Sequence, residues 1–139
     1  MISMVISTGG TGGHVIPAKV FYDYFKKKFN VKIISDKRGL NYIEKEKYNV
    51  DIIHIPQFKK NLSILIFPFF LIASFLKSLL FLKKENSKIL LSTGGYMSIP
   101  HCLAARILNI KIFLFEPNLV IGRSNLVLLR FCKEIFAYE

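Results

Sequence analysis

Six short apolar runs punctuate the chain, at residues 2–7, 31–35, 51–55, 88–92, 111–115 and 134–138, most of them rich in Ile, Val and Leu. Short unbroken apolar runs mark strands that are covered on both faces. Between them lie stretches with helical periodicity, at 17–29, 40–48, 63–84, 100–108 and 122–132. Alternation on this spacing predicts an α/β fold: a Rossmann-like, doubly wound parallel sheet with right-handed crossovers and helices on both faces. Such a sheet gathers its ligand outside the carboxyl ends of its strands, beside the switch in strand order. The glycine-rich stretches of this chain fall at that end. The last strand runs to the C-terminus, so the chain is expected to stop inside a pattern instead of at a domain boundary.

Two of those stretches echo each other. "ISTGGTGGHVIP" (6–17) and "LSTGGYMSIP" (91–100) each run from a strand through Ser-Thr-Gly-Gly to an Ile-Pro that opens a helix. Pro17 and Pro100 suit a first helical turn, where a missing N–H costs nothing. Each loop would then aim free backbone N–H groups and the positive end of a helix dipole into one crevice, a cradle for a diphosphate. The plainer alternative is a pair of strand-to-helix turns that use Gly for its positive φ. Neither common nucleotide fingerprint fits. The G-x-x-x-x-G-K-[ST] pattern is absent, and Gly10-Thr11-Gly12 lacks both a third glycine at the right spacing and an acidic ribose partner.

Composition narrows the partners. With 139 residues, 52% of them hydrophobic, and a mean hydropathy of +0.38, the chain can build one core and is not disordered. A net charge of +11 points to an anionic partner, although a general bias toward Lys, Ile, Phe and Asn contributes to it. The positive charge is dispersed and carries no aromatic platform, so no nucleic acid is expected. Cys102 and Cys132 are far apart and form no C-x-x-C pair, which predicts free thiols. No Asp-x-Asp and no cluster at ligand spacing is present, so neither a metal nor another cofactor is expected. No basic leader precedes the first apolar run, and the chain reads as cytosolic.

The segment "KKNLSILIFPFFLIASFLKSLLFLKK" (59–84) is the second informative feature. Its longest uncharged run, 61–76, falls short of the roughly 20 residues that span a bilayer. Lys59, Lys60, Lys83 and Lys84 flank it, and Phe67, Phe69, Phe70 and Phe75 supply more apolar surface than one sheet-facing stripe requires. An interfacial helix that docks on an anionic membrane surface fits this pattern. A fully buried core helix and a membrane anchor are the competing readings.

Taken in order, "GGTGGHVIPA", "STGGYMSIP", "FEPN" and "IGRSNLVL" resemble the successive motifs of the MurG family of peptidoglycan glycosyltransferases. The resemblance implies the N-terminal half of a GT-B fold, with residues 1–139 forming an incomplete acceptor-binding and membrane-docking domain and no C-terminal donor-binding domain. It implies an inverting transfer of N-acetylglucosamine from UDP-N-acetylglucosamine to an undecaprenyl-diphosphate-linked muramyl peptide. The enzyme would be peripheral on the cytoplasmic face of the cell membrane, and this chain alone would be inactive. A stand-alone acceptor-binding subunit of a split enzyme is the alternative.

Carried onto this sequence, the resemblance gives Thr11, Gly12, Gly13 and Asn118 to the donor or the diphosphate. Gly10, Gly94, Gly95, Tyr96, Ser98 and Asn125 would line the acceptor side. His14 is the candidate base and Glu116 its rival. A histidine at a helix N-terminus suits that role, because the dipole disfavours the imidazolium. His54 and His101 read as structural. Pro117 stands where the family has Gln, and Ser124 where it has Thr; Pro117 removes a backbone donor and stiffens Glu116.

Overall fold

The computed structural model describes residues 1–53 and 63–137. In chain order it contains β1 (Ser3–Ser7), α1 (Gly12–Phe25), β2 (Asn30–Ser35), a 3₁₀ turn (Gly39–Tyr42), β3 (Val50–Ile52) and α2 (Ser63–Lys84). These are followed by β4 (Ile89–Ser92), α3 (Ser98–Ile107), β5 (Lys111–Glu116), α4 (Arg123–Leu128), a second 3₁₀ turn (Leu129–Phe131) and β6 (Glu134–Ala137). The six strands are all parallel, in the order β3-β2-β1-β4-β5-β6. Chain order reverses between β1 and β4, which puts the loops after those two strands side by side.

Strand alternation sorts the core into two layers. Met4 and Ile6 of β1 face one side with Ile33, Leu91 and Phe115, and there they meet Val15 and Ala18 of α1. Val5 faces the other side with Ile34, Leu90, Ile112 and Leu114, against Leu82 of α2, Ala104 and Ala105 of α3, and Leu128 of α4. Central strands buried on both faces are why the sequence shows unbroken apolar runs.

Three expectations about elements need correction. The helix expected at 40–48 is only the 3₁₀ turn Gly39–Tyr42, after which Ile43 turns extended. Its apolar anchors, Ile43 and Tyr48, are both buried but five positions apart, a spacing that does not share a helical face. The helix expected at 122–132 is split between α4 and the second 3₁₀ turn. And α1 starts at Gly12, so Pro17 lies in its second turn and not its first. Pro17 there offers no N–H to the Gly13 carbonyl one turn back. Pro100 does sit in the first turn of α3.

In α2 the inner line is Ser74, Ser78 and Leu82, all buried, and the Ser78 hydroxyl donates back to the Ser74 carbonyl at 2.7 Å. Its outer face carries Phe69, Ile72, Leu76 and Leu80, all exposed, beside the exposed Lys77, Lys83 and Lys84; Phe70, one turn before Ser74, is exposed as well. Among the described residues no helix is long and apolar enough to cross a membrane. His54, Lys59 and Lys60, and the side chain of Phe67, lie outside the described residues.

Candidate active site

The first glycine loop leaves β1 and the second leaves β4, and they are stitched at their bases. The Thr93 N–H donates to the Ser7 carbonyl at 3.0 Å, and the Thr93 hydroxyl donates to Thr8 Oγ1 at 2.9 Å. Two glycines of the second loop are needed for their backbone. Gly94 and Gly95 have φ of +93° and +83°; a Cβ on Gly94 would crowd the His14 ring at 3.3 Å, and one on Gly95 would touch it at 3.6 Å. Gly9 is needed for space, since a Cβ there would collide with Met97 Sδ of the opposing loop.

His14 is the third residue of α1, half-buried between the two loops. Its Nδ1 lies 2.7 Å from the carbonyl oxygen of Thr93. A carbonyl only accepts, so Nδ1 carries the proton and Nε2 is left with the lone pair of a base. The ring lines a cleft of about 200 Å³ together with Gly10, Thr11, Arg38, Gly95 and Tyr96. Thr11 occupies the N-cap position of α1 with no side-chain cap bond, and no acidic residue sits in the first turn. The N–H groups of Gly12 and Gly13 therefore begin the helix with its dipole uncompensated by any carboxylate of that turn. A larger groove of about 350 Å³, lined by Phe21, Phe25, Phe29, Phe113 and Phe136 among others, is wholly apolar and carries no polar chemistry.

Glu116 ends β5 and is buried with every lone-pair direction engaged. Oε1 accepts from the Asn118 N–H at 3.1 Å and from its Nδ2 at 2.8 Å. Oε2 accepts from the Gly122 N–H at 2.7 Å and from Asn125 Nδ2 at 3.0 Å. Burial alone would raise its pKa; the hydrogen bonds from Gly122, Asn118 and Asn125 outweigh that and hold it below the usual glutamate range. Asn125 also donates to the Phe115 carbonyl at 3.3 Å, and its amide nitrogen would lie 3.4 Å from a Cβ on Gly94. The third and fourth motifs thus form one hydrogen-bonded turn that abuts the second glycine loop.

Other expected residues have local roles. The Ser98 hydroxyl donates to the Gly95 carbonyl at 2.6 Å and closes the second loop onto α3. His101 is fully buried, with Nδ1 2.6 Å from Ser7 Oγ, and burial pushes its pKa down to about 3. Cys102 and Cys132 are free thiols. Among the described residues no three His, Cys, Asp or Glu side chains form a metal-holding group.

Sequence reasoning missed Asp36 and Arg38. An acid does stand at the end of β2, against the expectation of none, but its carboxylate is already occupied. Asp36 Oδ1 accepts from the N–H groups of Gly10 at 3.0 Å and Gly39 at 2.7 Å, and Oδ2 pairs with Arg38 Nε at 3.3 Å. The available signal was its position, the first residue after the apolar run 31–35.

A parallel sheet that directs two glycine loops, a helix N-terminus and a histidine into one cleft defines the Rossmann-like N-terminal half of a GT-B glycosyltransferase. The model of the glycosyltransferase family 28 N-terminal domain matches residues 4–137, and the chain belongs to that family. It is 49% identical over 98% of its length to a protein of Pelagibacter ubique named UDP-N-acetylglucosamine--N-acetylmuramyl-(pentapeptide) pyrophosphoryl-undecaprenol N-acetylglucosamine transferase. It is 38% identical over 96% of its length to the protein of the same name from Caldicellulosiruptor saccharolyticus. In each case it spans only 38% of the relative's length. Among solved structures, Acinetobacter baumannii MurG superposes with a TM-score of 0.87 at 25% identity, over 99% of this chain and 41% of that one. A UDP-GlcNAc 2-epimerase from Methanocaldococcus jannaschii, at TM-score 0.70 and 13% identity, shares the fold.

Proposed function

We propose that this chain forms the acceptor-binding, membrane-docking wall of a MurG-type N-acetylglucosaminyltransferase. The reaction moves N-acetylglucosamine from UDP-N-acetylglucosamine to an undecaprenyl-diphosphate-linked muramyl peptide at the cytoplasmic membrane face, with the donor wall lying outside this sequence. The observation that carries this reading is the hydrogen bond from His14 Nδ1 to the Thr93 carbonyl, which leaves Nε2 as a base in a cleft built from two glycine loops. Nε2 takes the proton of the attacking sugar hydroxyl. That oxygen bonds to the anomeric carbon from the face opposite UDP, and the bond from that carbon to the diphosphate oxygen breaks, inverting the centre. Loop N–H groups of Gly12 and Gly13 offer their dipoles to diphosphate charge. Glu116, with four donors on its carboxylate and a lowered pKa, is the poorer base and acts by shaping the turn that carries Asn118 and Asn125.

The outer face of α2 supports the docking part of this reading. Four exposed apolar side chains beside three exposed lysines suit the headgroup region of an anionic leaflet better than water. The deciding experiment is the turnover of His14→Ala in the complete enzyme. A loss in kcat with an unaltered melting temperature supports the base role, and an unchanged kcat ends it.

A further inference from the structure

Arg38 spans the mouth of the cleft from β2 to the second loop. Its Nη2 donates to the Tyr96 hydroxyl at 3.0 Å, and its Nε pairs with Asp36 at 3.3 Å. Asp36, buried, is in turn bonded to the first loop through the Gly10 N–H, and a Cβ on Gly10 would lie 3.4 Å from Arg38 Nη2. The guanidinium is therefore anchored at one edge by a buried carboxylate wired to the first loop, and at the other by the second loop's tyrosine. Its side chain remains 44% exposed and lines the cleft with Thr11, His14 and Tyr96.

We propose that Arg38 is the phosphate-binding side chain of this cleft, taking the diphosphate of the lipid-linked acceptor; this rests on the cleft being the acceptor site. Helix dipoles and loop N–H groups supply only partial charges, whereas a diphosphate brings full ones. A planar guanidinium presents paired donors matched to phosphate oxygens, and anchoring it beforehand removes much of the ordering cost of binding. Tyr96 completes the arrangement. Because its oxygen accepts from Arg38, its own proton is directed away from the guanidinium and is a second donor for a phosphate oxygen. UDP also carries a diphosphate, so the test must separate the two substrates.

The experiment is steady-state kinetics of the complete enzyme with Arg38→Gln and Arg38→Lys, using inorganic pyrophosphate as the competing probe. Arg38→Gln is expected to raise the acceptor KM and the pyrophosphate Ki about tenfold or more, the usual weight of a charge-assisted hydrogen bond. Arg38→Lys keeps the charge and recovers part of both. The donor KM should stay within about twofold of wild type. Acceptor KM and pyrophosphate Ki both unchanged would overturn the assignment of Arg38 alone. A raised Ki with a flat acceptor KM, or a rise in donor KM only, would overturn the acceptor reading of the cleft. Equal losses of kcat in both variants with KM unchanged would make Arg38 only a strap between loops. If Arg38→Gln does not fold, the Ki of Arg38→Lys against wild type decides. His14→Ala, read in kcat, tests the base independently of all of these.

Discussion

His14 and Thr93 belong to different glycine loops, 79 residues apart, and are joined by a 2.7 Å hydrogen bond from the imidazole Nδ1 to a backbone carbonyl. This contact fixes the ring's tautomer and orientation, while the Thr93 bonds to Ser7 and Thr8 hold the two loops together. Beside the ring lie Gly94 and Gly95 of the second loop, both at positive φ; a Cβ on Gly94 would crowd the imidazole at 3.3 Å, and one on Gly95 would touch it at 3.6 Å.

Removing the imidazole should cost turnover and little else. His14→Ala in the complete enzyme is expected to lower kcat by about 10²–10⁴-fold, the usual weight of a general base. The melting temperature should hold, since the ring is only half-buried and makes one hydrogen bond.

Gly95→Val should damage both site and fold. At φ +83° a β-branched residue is strained by roughly 1–3 kcal/mol. Its Cβ would also sit 3.6 Å from the His14 ring. Denaturant midpoints and acceptor binding should both fall, and a variant that retains normal acceptor affinity would argue against the second loop as part of the cradle.

Acid should destabilise the chain through two groups whose windows overlap. His101 takes up a proton near its ordinary 6.5 when unfolded but only near about 3 when buried. The unfolded state therefore binds more protons between those values, and stability falls as pH drops through that window. Glu116 behaves as a carboxylate with a depressed pKa: its contribution is complete above the ordinary glutamate range and is lost as pH falls through its lower folded value. His101→Asn should flatten the decline that begins below the ordinary histidine value in melts recorded across the acid range, and Glu116→Gln should lessen its more acidic part while lowering stability at neutral pH.

Reversing charge on α2 should loosen membrane attachment. With Lys77, Lys83 and Lys84 all changed to Glu, flotation with anionic vesicles should drop, each lysine near such a surface being worth about 1 kcal/mol. Wild-type binding should itself weaken with added salt. Attachment that ignores both changes would remove the docking role of this helix.

Much of this molecule is written locally. Buried strands between helices produced the apolar runs, so the α/β class and the parallel sheet were legible from patterning. The two Ser-Thr-Gly-Gly loops marked the sheet edge where the cleft forms, and the many apolar residues of α2 marked surface beyond what the core needs. Where local pattern misled, tertiary contact was the cause: the segment 40–48 reads as a helix, yet Ile43 and Tyr48, which share no helical face, are each drawn separately into the core.

What the sequence by itself determined is therefore the α/β class, most of the strand–helix alternation, the two glycine loops and a pair of candidate bases, His14 and Glu116. Only the tertiary structure decided how those groups are arranged. Thr93 orients His14, Asp36 and Arg38 bridge Gly10 to Tyr96, and Glu116 is absorbed into its own turn. The physical reason is strand order. Hydrogen bonds between residues as far apart as Arg38 and Tyr96, 58 positions along the chain, exist because β1 lies between β2 and β4, an adjacency no local pattern encodes.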